Sequence, residues 1–311
     1  MTVSIRPDSP ADEPELPPEV RAKLGEALDA VAEVLADQEF NIIGNAGAQK
    51  GFFFSLQAKD KKEFRKSRPC VFPGCVHTSI PASHTLQRNG PLVAIAEDNH
   101  VLTPEVRLSN RKLEMVSVGV GEASTFPGFC PEHEKLFSDL ERRRELSRDR
   151  DLALQIFRVV CREIVVNRYQ IERFKSTLRA WRKVISDRGI AMVREKIGHL
   201  VRVYPVSEMK SLVVQGISKY EHGLSETLRD LTDLGELLEK EFQTAALADI
   251  EGRNPGMAHF VAQVEQSIPV CLAGLGTIHV HGKLGPTKAA AILNVWPTVD
   301  GTTISLAVLE R

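Results

Sequence analysis

Apolar residues recur along this chain with two different periods. Val160, Ile164, Ile171, Phe174, Leu178, Trp181 and Ile185 step by 4, 7, 3, 4, 3 and 4, the spacing of one face of a long helix. The segment His199 to Val206, with Pro205 inside it, breaks that pattern. Ser207 then caps a second helix whose stripe is Leu224, Leu228, Leu231, Leu238 and Phe242. Two such helices joined by a short break predict an antiparallel hairpin. A similar stripe, Val20, Leu24, Leu28, Val31 and Leu35, predicts an N-terminal helix. Gly51 to Leu56 is short and aromatic, and Glu114 to Gly121 alternates, so both read as strands. Pro91 to Glu97 reads as a short helix. Past Asn254-Pro255-Gly256 the runs Ile268–Leu272, Thr277–His281, Ala291–Trp296 and Thr303–Leu309 are β-rich, and PTVDG between the last two is a hairpin turn. A chain that stops at a strand leads us to expect a covering element beyond it.

The pattern predicts an α+β protein in five parts. They are an acidic, Pro-rich lead-in over 1–19, a helix and strand over 20–66, a cysteine-bearing module over 67–140, a helical hairpin over 141–250 and a β-rich element over 264–311. With 311 residues and 42% hydrophobic content the chain has the composition of a soluble globular protein. No apolar run approaches the roughly 18 residues of a membrane span, and the lead-in lacks the apolar segment of a signal peptide. A cytoplasmic protein without membrane partners is expected. The net charge of −1 hides a local excess, since residues 141–202 carry 17 Lys and Arg against 8 Asp and Glu. That segment could face an anionic partner.

Five cysteines, an odd number unevenly spread, argue against a disulfide framework. Four side chains instead suit a metal. Cys70-x4-Cys75 encloses a Pro73-Gly74 turn that folds two thiolates toward one point. Cys130-x2-His133 straddles Pro131, which suits the first position of a helix. Three thiolates and one imidazole from a turn and a helix start satisfy the tetrahedral preference of zinc, in the manner of a treble clef. His77 and His84 are rival ligands. Cys161, on the edge of the helix stripe, and Cys271, inside a strand, read as core residues. His279-x-His281 places two imidazoles on one side of a strand with no carboxylate or thiol beside them, which suits an exposed edge better than a metal pair. Gly119-x-Gly121 lacks the spacing of a phosphate loop.

The order Cys70, Cys75, SIPASHTLQRNGPLVAIAEDNHV, ASTFPGFCPEHEKLFSDLE resembles a bacterial zinc-binding family with SHxLQ and STFxGFCxxHxxxF motifs. It is also similar to divergent members of the HNH, treble-clef nuclease superfamily, over Arg68 to Glu141. That resemblance implies a structural Zn2+ on Cys70, Cys75, Cys130 and His133, with His84 as the general base of phosphodiester hydrolysis. It places Glu134, where the superfamily usually has His, as a ligand of a catalytic Mg2+ or Mn2+. It further implies action on DNA or RNA and a role in anti-phage defence. Arg142, Arg143, Arg144, Arg148 and Arg150 follow directly and are read as continuing the same helix, where they would hold a phosphate backbone or form a solvated, internally paired face. A second reading stays open. His84 would then hydrogen-bond within the module, and the protein would be a non-catalytic scaffold that uses the helical hairpin to bind a protein partner or form a homo-oligomer.

Overall fold

The computed structural model describes residues 18, 19, 22, 58–107, 112–146, 148–197, 225–253, 256–282 and 285–310. The strand expected at Gly51–Leu56 and the Ser207 cap lie outside these residues, as does the N-terminal helix except for Pro18, Glu19 and Ala22, which are helical. Two compact units are present, one formed by Met1–Asn45 with Lys175–Glu226 and the other by Ala46–Phe174 with Thr227–Arg311. Helix and sheet are mixed, and everything below concerns the second unit unless stated.

Helix α1 (58–64) leads to a loop that carries Cys70 and Cys75. Strand β1 (Ser83–His84) pairs antiparallel with β4 (Thr125–Phe126). Between them lies a longer hairpin, β2 (His100–Arg107) with β3 (Lys112–Gly119). Helix α2 starts at Pro131, tightens into one 3-10 turn at Lys135–Phe137 and ends at Arg143. Helix α3 (Asp149–Ile197) is 49 residues long and passes from this unit into the other. Helix α4 (225–250) contains one π-turn at Leu238–Phe242. Strands β5 (Met257–Val264), β6 (Leu272–Gly282), β7 (Gly285–Pro297) and β8 (Thr302–Leu309) form an antiparallel sheet in the order β5-β8-β7-β6.

The centre of this unit is the first part of α3. Every residue from Leu152 to Cys161 is buried, and only Gln155 and Arg158 among them are polar. A helix that is apolar nearly all round must be enclosed nearly all round. On one side Phe72 and Phe129 set their rings against Phe157 at 5.8 and 6.3 Å. On another, Gln155 Nε2 donates to Asn294 Oδ1 at 3.2 Å, on the face of the C-terminal sheet that also buries Ile292, Trp296 and Ala307. Helix α4 covers a third: Asn167 Nδ2 donates to the Leu231 carbonyl, Arg168 pairs with Glu239, and Gln243 lies on Cys161. Cys161 meets Gln243, while Asn167 and Arg168, further along α3, meet Leu231 and Glu239, further back along α4. Segments that read as a separate zinc module, hairpin and β-rich element therefore share one core.

Three local expectations need correction. The arginine-rich run does not continue one helix. Arg144 takes a left-handed conformation (φ 64°) that ends α2, and its carbonyl accepts the indole N–H of buried Trp296 at 3.3 Å. Strand β5 went unrecognised because apolar residues of MAHFVAQV fall on both parities, and of the run Ile268–Leu272 only Leu272 is in a strand, the same one that holds Thr277–His281. Gly274 and Gly276, which look like breakers, lie inside the single strand β6.

Gly128 is required by packing. A Cβ there would lie 2.2 Å from Cε2 of Phe126, a ring that is buried against Phe129. Gly128→Ala is expected to destabilise the fold by about 1–3 kcal/mol, the usual penalty of overpacking, measured as a lower urea midpoint at unchanged slope.

Candidate metal centre

The loop before β1 brings the first two cysteines together. The Cys75 N–H donates to the Phe72 carbonyl at 3.1 Å, closing a turn in which Gly74 has φ 74°, a left-handed conformation that suits glycine. The Cys70 N–H bonds the His77 carbonyl at 2.8 Å, and Pro69 bridges Thr78, so the loop is anchored on both sides. Cys130 is the N-cap of α2, extended at ψ 166°, with Pro131 at the first helical position. The first backbone bond of the helix runs from the Glu134 N–H to the Cys130 carbonyl. This turn brings His133 round to the same point as Cys130.

The four ligand atoms converge. All of them lie within 4.8 Å of one another. Cys75 Sγ and Cys130 Sγ are 3.9 Å apart, and His133 Nδ1 lies 3.3 Å from Cys130 Sγ and 3.5 Å from Cys70 Sγ. A tetrahedral zinc ion with Zn–S near 2.3 Å and Zn–N near 2.05 Å would have edges of about 3.8 Å between sulfurs and about 3.6 Å between sulfur and nitrogen. The spacing fits, and Cys70, Cys75, Cys130 and His133 could hold a metal ion such as zinc. Four protein ligands on one ion would leave no position for water or substrate, the arrangement of structural sites. His77 is exposed and lies outside the cluster.

The surroundings act differently on two of the thiols. The Cys130 N–H donates to Cys70 Sγ at 3.3 Å. Burial, with the neighbouring Cys75 and Cys130 thiols, pushes the Cys70 thiol up to about 11 against the lowering pull of the Phe72 and Cys130 backbone N–H groups. Cys130 feels burial too, but the backbone N–H groups of His133 and Glu132 and the neighbouring Cys75 thiol outweigh it, so its value falls below that of an ordinary thiol. A cation at the centre supplies the opposite charge that burial otherwise lacks. The His133 imidazole is clamped by the Phe72 ring, stacked 3.9 Å away and 8° from parallel.

Glu134 and His84 lie beside the centre in a different setting. Ser83 Oγ donates to Glu134 Oε2 at 2.8 Å and accepts the Phe129 N–H at 3.2 Å, tying β1 to the start of α2. The other Glu134 oxygen faces Arg158 Nη2 at 3.6 Å. Arg158 is wholly buried, lies over the Phe137 ring with its guanidinium carbon 4.0 Å from the centroid, and reaches Glu141 at 2.8 Å. Burial raises the Glu134 carboxyl, against the opposing pull of Arg158 and Ser83. Burial, helped by the positive charge of Arg158, lowers the His84 imidazole, whose Nε2 is buried with no hydrogen-bond partner. Sequence placed Ser83 only as the residue before His84 in the SHxLQ motif, and did not single out Arg158. The signal available for Arg158 was an arginine inside an otherwise apolar stretch of helix.

The arginines fall in several settings. Arg142 pairs with Asp139 on an exposed face. Arg143 pairs with Asp151, whose side chain is fully buried, and so fastens the end of α2 to the start of α3. Arg144 is the helix-ending residue described above. Arg148 is exposed, as is Arg150, which borders a cavity of about 610 Å³ together with Asp149, Arg253 and a hydrogen-bonded pair, His259 Nε2 and Asp249 Oδ2, 2.9 Å apart. Cys161 and Cys271 stand apart from the metal cluster. Burial raises both thiols, Cys271 to about 12. His279 is exposed on β6, an edge strand, and no helix among the described residues is long and apolar enough to cross a membrane. No protein-family model, curated protein or solved structure matches the chain.

Two measurements check this description. Purified reduced protein is expected to carry about one zinc per chain, and Cys130→Ala to lose it together with several kcal/mol of stability, because ligation free energy is folding free energy. The His84 imidazole is expected to titrate below 6.5 by NMR. Since the unfolded chain then takes up this proton first, the fold should lose stability as pH drops below about 6.5, and His84→Phe should flatten that part of the pH profile.

Proposed function

We propose that the protein is a zinc-stabilised, non-catalytic interaction protein, in which the Cys3His centre fixes one unit around the start of α3 and that helix carries a second unit for partner binding. The observation behind this reading is the engagement of Glu134. Both of its oxygens face groups of the fold, Ser83 and buried Arg158, where a nuclease would need a carboxylate open to a catalytic metal ion and a scissile phosphate. Arg143 is likewise committed to buried Asp151, so the arginine run offers a phosphate backbone fewer free guanidinium groups than its sequence suggests. On this reading the zinc sets structure, and Ser83, Glu134 and Arg158 lock the metal-bearing helix start to strand β1 and to α3.

One observation favours the nuclease reading. Nε2 of His84 has no partner, and its imidazole is held neutral near pH 7, the state a general base requires. A single paired experiment separates the two: cleavage of single- and double-stranded DNA and RNA with added Mg2+ or Mn2+, and thermal unfolding, on wild type and His84→Ala together. The scaffold reading expects no cleavage by the wild type and a lower melting temperature for the variant. Cleavage that disappears in a variant of unchanged stability and zinc content would instead establish a metal-dependent nuclease with His84 as its base.

A further inference from the structure

A metal-ligating histidine ordinarily donates the N–H of its other ring nitrogen to a carboxylate or a backbone carbonyl, and that bond fixes the orientation of the ring. His133 has no such brace. Its Nδ1 faces the sulfurs of Cys130 and Cys70 at 3.3 and 3.5 Å, while Nε2 is neither buried nor hydrogen-bonded to any group among the described residues. A histidine ring turns about a broad, roughly two-fold torsion, so an unbraced imidazole samples a range of planes. What does hold this ring is Phe72, stacked on it 3.9 Å away and 8° from parallel. On its other side the Phe72 ring meets Phe157 of α3, edge-on at 5.8 Å, and Phe157 is wholly buried. Phe72 is therefore wedged between a ligand and the central helix.

The main chain around Phe72 is fixed independently of its side chain. Its carbonyl accepts the Cys75 N–H at 3.1 Å, and its N–H bonds the Cys70 sulfur. Val71, one residue earlier, donates its N–H to the Gly128 carbonyl at 2.9 Å and accepts from Gln243 Nε2 of α4 at 2.9 Å. Substitution of the Phe72 side chain leaves all of these bonds possible and removes only the contact with His133 and Phe157. We propose that Phe72 is the positioning residue of the metal centre: its ring holds the His133 imidazole in the plane that aims Nδ1 at the ion, in place of a hydrogen bond to Nε2, and so sets the affinity for zinc. This rests on the zinc-stabilised reading above and adds the side chain on which that affinity depends. A flat ring at this position matters more than apolar bulk. Because the same ring touches Phe157, zinc binding is coupled to the packing of α3 through it.

The test is a titration of the full-length, reduced protein with Zn2+ against a competing chelator, on wild type, Phe72→Leu, Phe72→Tyr and Ile156→Ala, each checked by circular dichroism. Phe72→Leu is expected to weaken zinc binding about 10–100-fold, the usual cost of losing a group that orients a ligand, and Phe72→Tyr, which keeps the ring, to restore it to within about threefold of wild type. Ile156→Ala truncates a buried side chain of α3 and should lower the melting temperature without that loss of affinity. Wild-type affinity in Phe72→Leu would overturn the proposal, and so would equal losses in Phe72→Leu and Ile156→Ala, which would make the ring ordinary packing. NMR of the zinc-loaded wild type keeps the test decisive if Phe72→Leu fails to fold. His133 is expected to bind metal through Nδ1, with its ring protons moved upfield by the stacked Phe72 ring. Metal on Nε2, or ring protons without that shift, would overturn the proposal. Folded, reduced wild type that binds no zinc would overturn the metal centre itself, a result distinct from each of these.

Discussion

The structure depends on one convergence: three sulfurs and one nitrogen from two distant chain segments meeting within 4.8 Å. Without a cation, three thiols crowded into a partly buried space gain little from one another, and burial pushes Cys70 toward its neutral form. With one, the loop at Cys70–Cys75 and the N-terminus of α2 become a single rigid body. That body presents Phe72 and Phe129 to Phe157, and these rings supply much of one wall around α3. The opposite wall is the C-terminal sheet. The Cys/His cluster, the central helix and the sheet are thus successive layers of one core, and between them Gln155 Nε2 donates to the Thr85 carbonyl and to Asn294 Oδ1, while Arg158 Nη2 reaches Glu141.

This arrangement gives the short motifs of the chain a physical meaning that differs from catalysis. In SHTLQ, Ser83 bonds Glu134, the Thr85 carbonyl accepts from Gln155, and Gln87 donates to the carbonyls of Leu140 and Glu141 at the end of α2. In FPGFC, Gly128 makes room for the Phe126 ring and its carbonyl accepts the Val71 N–H. Each residue joins β1, the metal loop and α2 to one another. Within the same motif Nε2 of His84, Oγ1 of Thr85 and Oε1 of Gln87 are buried without a partner, and the choice between scaffold and enzyme turns on His84.

Much of the metal centre was legible because its signals are local. A Pro-Gly turn between cysteines and a Pro one residue after Cys130 fix where the side chains point, whatever the rest of the chain does. The stripe positions Val160, Ile164, Leu238 and Phe242, which are buried, were legible for the same reason, as was the turn between β7 and β8, where the Thr298 N–H bonds the Gly301 carbonyl at 2.7 Å. What stayed hidden depends on partners far away in sequence. The end of α2 at Arg144 involves a bond from Trp296, 152 residues later. Arg158 stands out in the sequence only as an arginine in an apolar stretch, and its surroundings, Glu134, Glu141 and the Phe137 ring, come from another helix. Strand β6 hid its continuity behind Gly274 and Gly276, which sequence rules treat as punctuation but which the edge of a sheet tolerates.

X-ray absorption at the zinc edge on the purified protein tests the central claim most directly, because it reads the coordination shell itself. The account predicts three sulfur neighbours near 2.3 Å and one nitrogen near 2.05 Å, with no further light-atom ligand. A shell dominated by oxygen or nitrogen, or no bound metal in folded, reduced protein, would contradict it.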